Sequence, residues 1–388
     1  MADGITNVVF NVTKELARRG HQVSVYASDM LDLHGNNSLR VNHLVINGVD
    51  VYYSRSVLRS KTFIVTPSMI SLLSKNIDNF DIIHIHDARS FQGISTYLFA
   101  KAKNVPYVFQ PHGSYLSSLS DSPSKTVAKI TLDKLVSDEI LQNASKVIAL
   151  SQVEAEQYKC AGVPDGKISI IPNGIDLSEY ANLPPKGSFK KKFGLDENEK
   201  IVLYLGRIHR IKGVDILVRA FASIVDKLDG IKLVIVGPDD GYLDEVTALI
   251  KTLRLEKHVL ILGPLYGRDK LEAYVDADMY VLPSRYETFP VSIMEAVACG
   301  TPIILTENCG IAEWFKDRVG LVVTPFPKEL EEALLVMLQD ATLNAFFRRN
   351  CSKVIGTFDI STIVRKFEKV YEDAICASLE APQISKKC

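Results

Sequence analysis

The sequence predicts an α/β protein built as two doubly wound domains, each a parallel sheet with helices on both faces. Three observations carry that prediction. Short β-branched runs alternate with longer stretches of helical period. The alternation occurs twice. Between the two series lies a stretch rich in Pro, Gly and charge and poor in strand formers. A chain of 388 residues is also too long for one ordinary core.

In chain order, "MADGITNVVFNVTKELARRGHQVSVYA" opens on a turn glycine and a helix, and the first clear strand is Gln22 to Ala27. A doubly wound domain normally begins with a strand that feeds such a glycine loop. That strand is absent from the pattern here, which would expose neighbouring strand edges and reduce stability. Strands are then expected at "DIIHIH", "PYVFQP", "SKVIALS" and "KISIIP", placing a first domain over residues 1–176. Residues 177–200, "LSEYANLPPKGSFKKKFGLDENEK", read as the linker, with Lys186 and Lys190 to Lys192 as a solvated basic run or a membrane-surface patch. A second domain over 201–360 follows from "KIVLYLG", "IKLVIVG", "HVLILG", "DMYVLP" and "TPIILT". Near the end, Ile363, Val364, Phe367, Val370, Tyr371 and Ala374 share one helical stripe. The helix over 361–380 is expected to complete the first domain, and the tail after Glu380 to fray.

Composition narrows function. A net charge of -1 and a pI near 6.7 provide no global basic field, so nucleic acid is not expected as a partner. The six cysteines are scattered without a C-x-x-C or Cys/His cluster, which argues for a reducing compartment and against structural zinc. No apolar run reaches the roughly 18 residues of a spanning helix, and no signal pattern opens the chain. The expected location is cytoplasmic.

In open parallel sheets ligands bind beyond the carboxyl ends of the strands. After "IVLYLG" comes "GRIHRIKG", where Gly206 lets the backbone approach a ligand and Arg207 and Lys212 precede a helix. Two cations and a helix N-terminus suit a diphosphate; the same residues also suit a solvated loop. There is no P-loop and no convincing G-x-G-x-x-G, which counts against a P-loop nucleotidase and a dinucleotide oxidoreductase. After "MYVLP", loop "SRYET" carries Glu287, and "FPVSIMEAVACG" reads as a short helix carrying Glu295, with Pro290 in its first turn and Gly300 at its end. Two carboxylates so placed need not face each other as a hydrolytic pair must. As acceptors for sugar and ribose hydroxyls they make the simpler chemistry. His84 and His86 point to one face of their strand as two metal ligands would, but no third ligand stands at a convincing spacing, and no metal site is expected.

Taken together, "ETFPVSIME", "LGRIHRIKG", "IPNGID" and "QPHGS" resemble the motifs of the retaining glycosyltransferases of family 4, also described as glycosyl transferase group 1, in matching order along nearly the whole chain. The resemblance implies the GT-B fold, two Rossmann-like domains facing across a cleft. It implies a nucleoside-diphosphate sugar as donor (UDP- or GDP-linked), held mainly by the second domain without a metal or other cofactor. By position, Arg207 and Lys212 would bind the diphosphate and Glu295 the ribose. Glu287 would hold the transferred sugar, with Thr288, Phe289, Pro290 and Val291 in the turn beside it. The base would lie near Gly263 and Leu265 of "LGPLY". His112, followed by Gly113, would touch the sugar from the first domain, and Gly4 would lie near the diphosphate or acceptor. Separately, the place of Asp87 at a strand end in "HIHDARS" makes it a lesser candidate for a role near the acceptor. The acceptor is expected to be a glycan, a lipid-linked or a small-molecule hydroxyl, in glycan, polysaccharide or glycolipid biosynthesis, with peripheral contact to the inner membrane face. "SKTVAKITLDKLVSDEIL" is amphipathic enough for such contact, although a core-facing helix is the favoured explanation of it. Rival activities are a GT-B nucleotide-sugar epimerase or hydrolase and a non-catalytic nucleotide-sugar-binding protein.

Overall fold

The computed structural model describes residues 4–30, 38–59, 64–87, 90–115 and 136–380. Most of the 112–126 loop and of the amphipathic stretch 124–141, and the tail after Glu380, lie outside the described residues. The chain forms two compact units. One comprises the described residues up to Gly174 together with those from Ile360, and the other is Ile175–Asp359.

In the first unit, helix Gly4–Arg18 leads to β1 (Ser24–Ser28), followed by β2 (His43–Ile46) and β3 (Val49–Ser54). These form a sheet of order β1-β3-β2 in which β1 and β3 are parallel and β2 is antiparallel to β3. The antiparallel strand departs from the all-parallel expectation, and its cause is local. Asn47 and Gly48 both take positive φ, 52° and 81°, as a two-residue hairpin of the primed type requires. A small hairpin follows, β4 (Leu58–Arg59) with β5 (Ile64–Val65). The main sheet of this unit is wholly parallel, β6 (Ile83–His86), β7 (Tyr107–Gln110), β8 (Lys146–Ala149) and β9 (Ile168–Ile170) in that order. Its core gathers Met69, Ile85, Phe109, Leu141, Val147 and Tyr158. Among the described residues, β1 pairs only with β3 and β6 only with β7. The terminal helix Ile360–Glu380 belongs to this unit and buries Ile363, Val364, Phe367, Val370 and Ala374. Arg19 grips its Glu368 with two hydrogen bonds of 2.7 and 2.8 Å.

The second unit holds one six-stranded parallel sheet made of β10 (Lys200–Leu205), β11 (Ile231–Val236), β12 (Val259–Leu262), β13 (Met279–Leu282), β14 (Ile303–Thr306) and β15 (Gly320–Val323), ordered β12-β11-β10-β13-β14-β15. Central strands are buried along nearly their whole length, as parallel strands covered on both faces must be.

Residues 177–200, expected as a linker, are instead part of this second unit. Helix Ser188–Phe193 buries Phe189, and the buried Asp276 carboxylate accepts the amide N–H of Gly187 (2.5 Å) and of Lys190 (3.0 Å) at its start. Lys190 donates to the carbonyls of Glu197 and Glu199 and Lys192 pairs with Asp269, so two of the four lysines are engaged within the unit, while Lys186 and Lys191 are exposed. A carboxylate on exposed helix-start amides is worth about 1 kcal/mol. That contact, with one buried aromatic, ties down a segment whose composition looks like a connection.

Candidate functional site

Chain order in the second sheet reverses between β10 and β13, and in such sheets the crevice at the carboxyl ends of the two strands flanking the reversal binds ligands. The loops leaving these strands are 206–213 and 283–290. They are tied together by Arg285, which donates its amide N–H to the Ile211 carbonyl (2.8 Å) and its guanidinium to the Arg210 carbonyl (2.7 Å). The same guanidinium grips both carboxylate oxygens of Asp215 at 2.8 and 2.7 Å, in the first turn of helix Val214–Ala222. The Asp215 carboxylate also raises the already high pKa of Arg285. A third loop joins from β14, where Asn308 accepts the Glu287 N–H and Gly310 donates to the Glu287 carbonyl (3.1 and 2.9 Å).

Lys212 and Glu287, from two of these loops, form a direct ion pair with side chains 16% and 18% exposed. Gly213 makes the approach feasible. It sits at φ 69°, and a Cβ there would lie 2.0 Å from the Pro283 carbonyl oxygen. A 3-10 turn, Arg210–Lys212, lies between Arg207 and the helix Val214–Ala222 that both cations precede. Arg207 is half exposed and paired with Asp240 at 2.6 Å. The amide of Gly206 is engaged with the Val236 carbonyl, extending the strand ladder. Neighbouring Asp239 accepts the N–H groups of Tyr242, Leu243 and Gly241, and these bonds hold its carboxyl below the usual range.

Glu295 projects from helix Val291–Ala298, which Pro290 precedes and Gly300, at φ 75°, follows. Its oxygens are held separately. Lys270 donates to Oε1 at 2.7 Å and Tyr274 to Oε2 at 3.0 Å. Tyr274 is fully buried, and burial, followed by the Glu295 charge, pushes its phenol well above the ordinary value. Burial and Glu295 likewise raise the phenol of Tyr180. Thr288 and Val291 are partly buried, while Phe289 and Pro290 turn inward, Phe289 with its ring 6.3 Å from that of Phe358. Of the expected base-binding residues, Gly263 is exposed and Leu265 partly buried, in the loop between β12 and helix Gly267–Asp276. Thus each glutamate has its own lysine.

Of the first unit's candidates, Asp87 and His112 lie at the carboxyl ends of β6 and β7. His86 Nδ1 lies 2.9 Å from His112 Nε2, the His84 and His86 rings are 4.0 Å apart, and His84 Nδ1 lies 2.8 Å from the Tyr371 hydroxyl. Burial depresses all three histidines, His86 to about 4, and proximity to the other rings further lowers His84 and His112. His112 and Gly113 take consecutive left-handed conformations, φ 55° and 75°. Glu154, buried at the start of helix Gln152–Cys160, fixes that turn by accepting the Gly113 N–H (2.7 Å) and the Leu150 N–H (2.6 Å). Asp87 also has a positive φ, 72°, and donates its N–H to the Gln110 carbonyl. Gly4 opens the first helix. Among the described residues no group of three His, Cys, Asp or Glu side chains is arranged to hold a metal ion, and no helix is long and apolar enough to cross a membrane.

Sequence reasoning missed Lys270, Tyr274, Asp240, Arg285 with Asp215, and Glu154. Only Lys270 and Tyr274 left a local trace, a cation and a hydroxyl four residues apart on a helix that follows a strand-end loop.

Two Rossmann-like α/β units, the second with a lysine–glutamate pair at the switch point of its parallel sheet, have the GT-B fold. Solved structures agree on the fold. Sucrose-phosphate synthase from Thermosynechococcus elongatus superposes with a TM-score of 0.75 at 20% identity, over 97% of this chain and 94% of that one. HepE from Anabaena, in complex with UDP-glucose, has a TM-score of 0.75 at 20% identity, over 96% of each chain. Residues 2–179 match the family model described as Glycosyltransferase Family 4, and residues 185–354 the model described as Glycosyl transferases group 1. The chain belongs to glycosyltransferase family 4. Among its relatives are an uncharacterized glycosyltransferase of Methanocaldococcus jannaschii, 28% identical over 380 residues, and the N-acetyl-alpha-D-glucosaminyl L-malate synthase of Bacillus anthracis, 28% identical over 373. Each of these alignments covers 93% of this chain and 92% of the relative.

Proposed function

We propose that the protein transfers a sugar from a nucleoside-diphosphate donor to an acceptor hydroxyl with retained anomeric configuration and without a metal. The observation that carries this reading is the pair of lysine–glutamate contacts of the second unit, Lys212 with Glu287 and Lys270 with Glu295. Lys212 and Arg207 supply cations for the diphosphate, and Glu287 and Glu295 supply acceptors for hydroxyls of the transferred sugar and the ribose. The base packs by the Gly263 to Leu265 loop, beside the start of the helix that carries Lys270. From the first unit the reading takes His112 as a contact of the sugar and Asp87 as a contact of the acceptor. Gly4 is assigned to the diphosphate or acceptor.

In the reaction the acceptor oxygen bonds to the anomeric carbon on the face the diphosphate leaves. The bond from that carbon to the phosphate oxygen breaks, and the acceptor proton passes to the departing phosphate. The reading assigns no side chain as a nucleophile and rests catalysis on positioning and on charge stabilisation by Lys212 and Arg207. Structures of this fold have been solved with UDP and UDP-glucose, which makes UDP-sugars the first donors to test. The relatives named for N-acetyl-glucosaminyl L-malate synthesis and for D-inositol 3-phosphate glycosyltransfer make small anionic alcohols worth testing beside glycan and lipid-linked acceptors. A cytoplasmic setting, with peripheral contact to the inner membrane face, suits a lipid-linked acceptor.

The test is nucleotide release from UDP- and GDP-sugars with and without such acceptors. Acceptor-dependent release supports transfer. Acceptor-independent release points to a hydrolase, conversion of the free donor sugar to an epimerase, and binding without turnover to a non-catalytic protein. Full activity in both Glu287→Ala and Lys212→Ala overturns the site assignment.

A further inference from the structure

We infer that Lys270 and Tyr274 are positioning residues which aim the Glu295 carboxylate at a ribose diol, and so set a preference for ribonucleotides over 2′-deoxyribonucleotides. The inference rests on the reading above that Glu295 receives ribose hydroxyls, and extends it to two residues with no assigned role.

An ionised carboxylate offers about four lone-pair directions, two on each oxygen. Here one on each oxygen is taken, Oε1 by the Lys270 ammonium at 2.7 Å and Oε2 by the Tyr274 hydroxyl at 3.0 Å. About one direction per oxygen remains, and a vicinal diol presents two hydroxyl donors side by side. The two held contacts come from one helix face, because Lys270 and Tyr274 stand four residues apart on Gly267–Asp276. Together they restrain the carboxylate against rotation as well as against displacement.

The support behind them is stiff. The Tyr274 ring is fully buried and meets the Tyr280 ring edge-on, with centroids 5.6 Å apart. Tyr280 in turn donates to the Leu205 carbonyl at the end of β10 and bonds the Ser292 hydroxyl, one helical turn before Glu295. With its phenol held protonated, Tyr274 remains a donor to the carboxylate throughout the physiological range. Lys270 and Glu295 are 25% and 13% exposed, so the pair is largely shielded and still in part accessible. A merely structural ion pair would stabilise the helix contact with no effect on which nucleotide binds.

The experiment measures dissociation constants by calorimetry for UDP against 2′-deoxy-UDP and GDP against 2′-deoxy-GDP, using the full chain and no acceptor. Folding of each variant is checked by circular dichroism. A lost charge-assisted hydrogen bond predicts a ribose preference of about tenfold or more in the wild type. Lys270→Met is expected to cut the ratio to about threefold or less, Tyr274→Phe to lower it by a smaller factor, and Lys270→Arg, which keeps the cation, to retain most of it. Glu295→Gln separates the two layers. If it leaves the ratio unchanged, or if the wild type shows no ribose preference or binds neither nucleotide, the assignment of Glu295 to ribose falls and the inference with it. If Glu295→Gln removes the preference while Lys270→Met and Tyr274→Phe keep it, the ribose assignment stands and the positioning role is overturned.

Discussion

Lowering the pH should loosen the first unit through its histidine cluster, and His86 supplies a magnitude. Its folded pKa is about 4 against 6.5 when free, with burial as the cause. As pH falls below 6.5 the unfolded chain takes up the proton first, so stability is greatest above that value and is lost progressively down toward about 4. Between about pH 8 and about pH 5, linkage for one such group amounts to ~2 kcal/mol. His84 and His112 act in the same direction, because burial depresses both. Glu154 works the other way, since burial holds its carboxyl above the usual range and acid favours its folded form. The informative quantity is therefore the difference between the wild type and His86→Gln, which cannot titrate but can still bond His112. Hydrogen exchange of the β7 and β8 amides, corrected for the intrinsic rate at each pH, reads that difference within the first unit. The variant should lose about 2 kcal/mol less protection than the wild type on acidification. Identical losses in the two proteins would refute the burial argument.

Glu154→Ala leaves the Gly113 and Leu150 N–H groups without their acceptor, at about 1–3 kcal/mol each, and should lower the thermal midpoint of the first unit by roughly 10 °C, with Glu154→Gln near half of that. Gly213→Ala forces a side chain into a left-handed position against the Pro283 carbonyl; denaturation followed by Trp314 fluorescence should show a loss of about 2 kcal/mol or more. Lys212→Ala removes the cation proposed for the diphosphate and strands Glu287, so kcat/KM should fall by roughly a hundredfold or more with circular dichroism unchanged. Arg285→Lys cannot grip both Asp215 oxygens, and should lower kcat/KM by about tenfold while both loops remain intact by proteolysis.

Much of the strand pattern was legible because parallel strands buried on both faces leave continuous β-branched runs, as at Lys200–Leu205 and Ile231–Val236. The β2–β3 hairpin was not found, since β2 is exposed along most of its length and carries no burial signal, although "INGV" held the turn chemistry in plain sight. Residues 177–200 misled for a different reason. Composition registers Pro, Gly and Lys, while what decides the segment is one buried phenylalanine and a carboxylate from Asp276, far along the chain. For the candidate site, motif order singles out Lys212, Glu287 and Glu295. Their partners and supports, Lys270, Tyr274 and the Arg285–Asp215 fork, arise only when separate strand-end loops and helices are brought to one edge of the sheet.

The return of helix Ile360–Glu380 to the first unit has a consequence for biosynthesis. Its Phe367 and Tyr371 pack beside His84 of β6, a strand made nearly three hundred residues earlier. On the ribosome the first unit must therefore wait for this helix while the entire second unit is translated, an interval of roughly 10–40 s at ordinary elongation rates. The second unit, synthesised later, holds all of its own sequence first and can close before the first. Until then the apolar face that receives Val364 and Phe367 stands open to water.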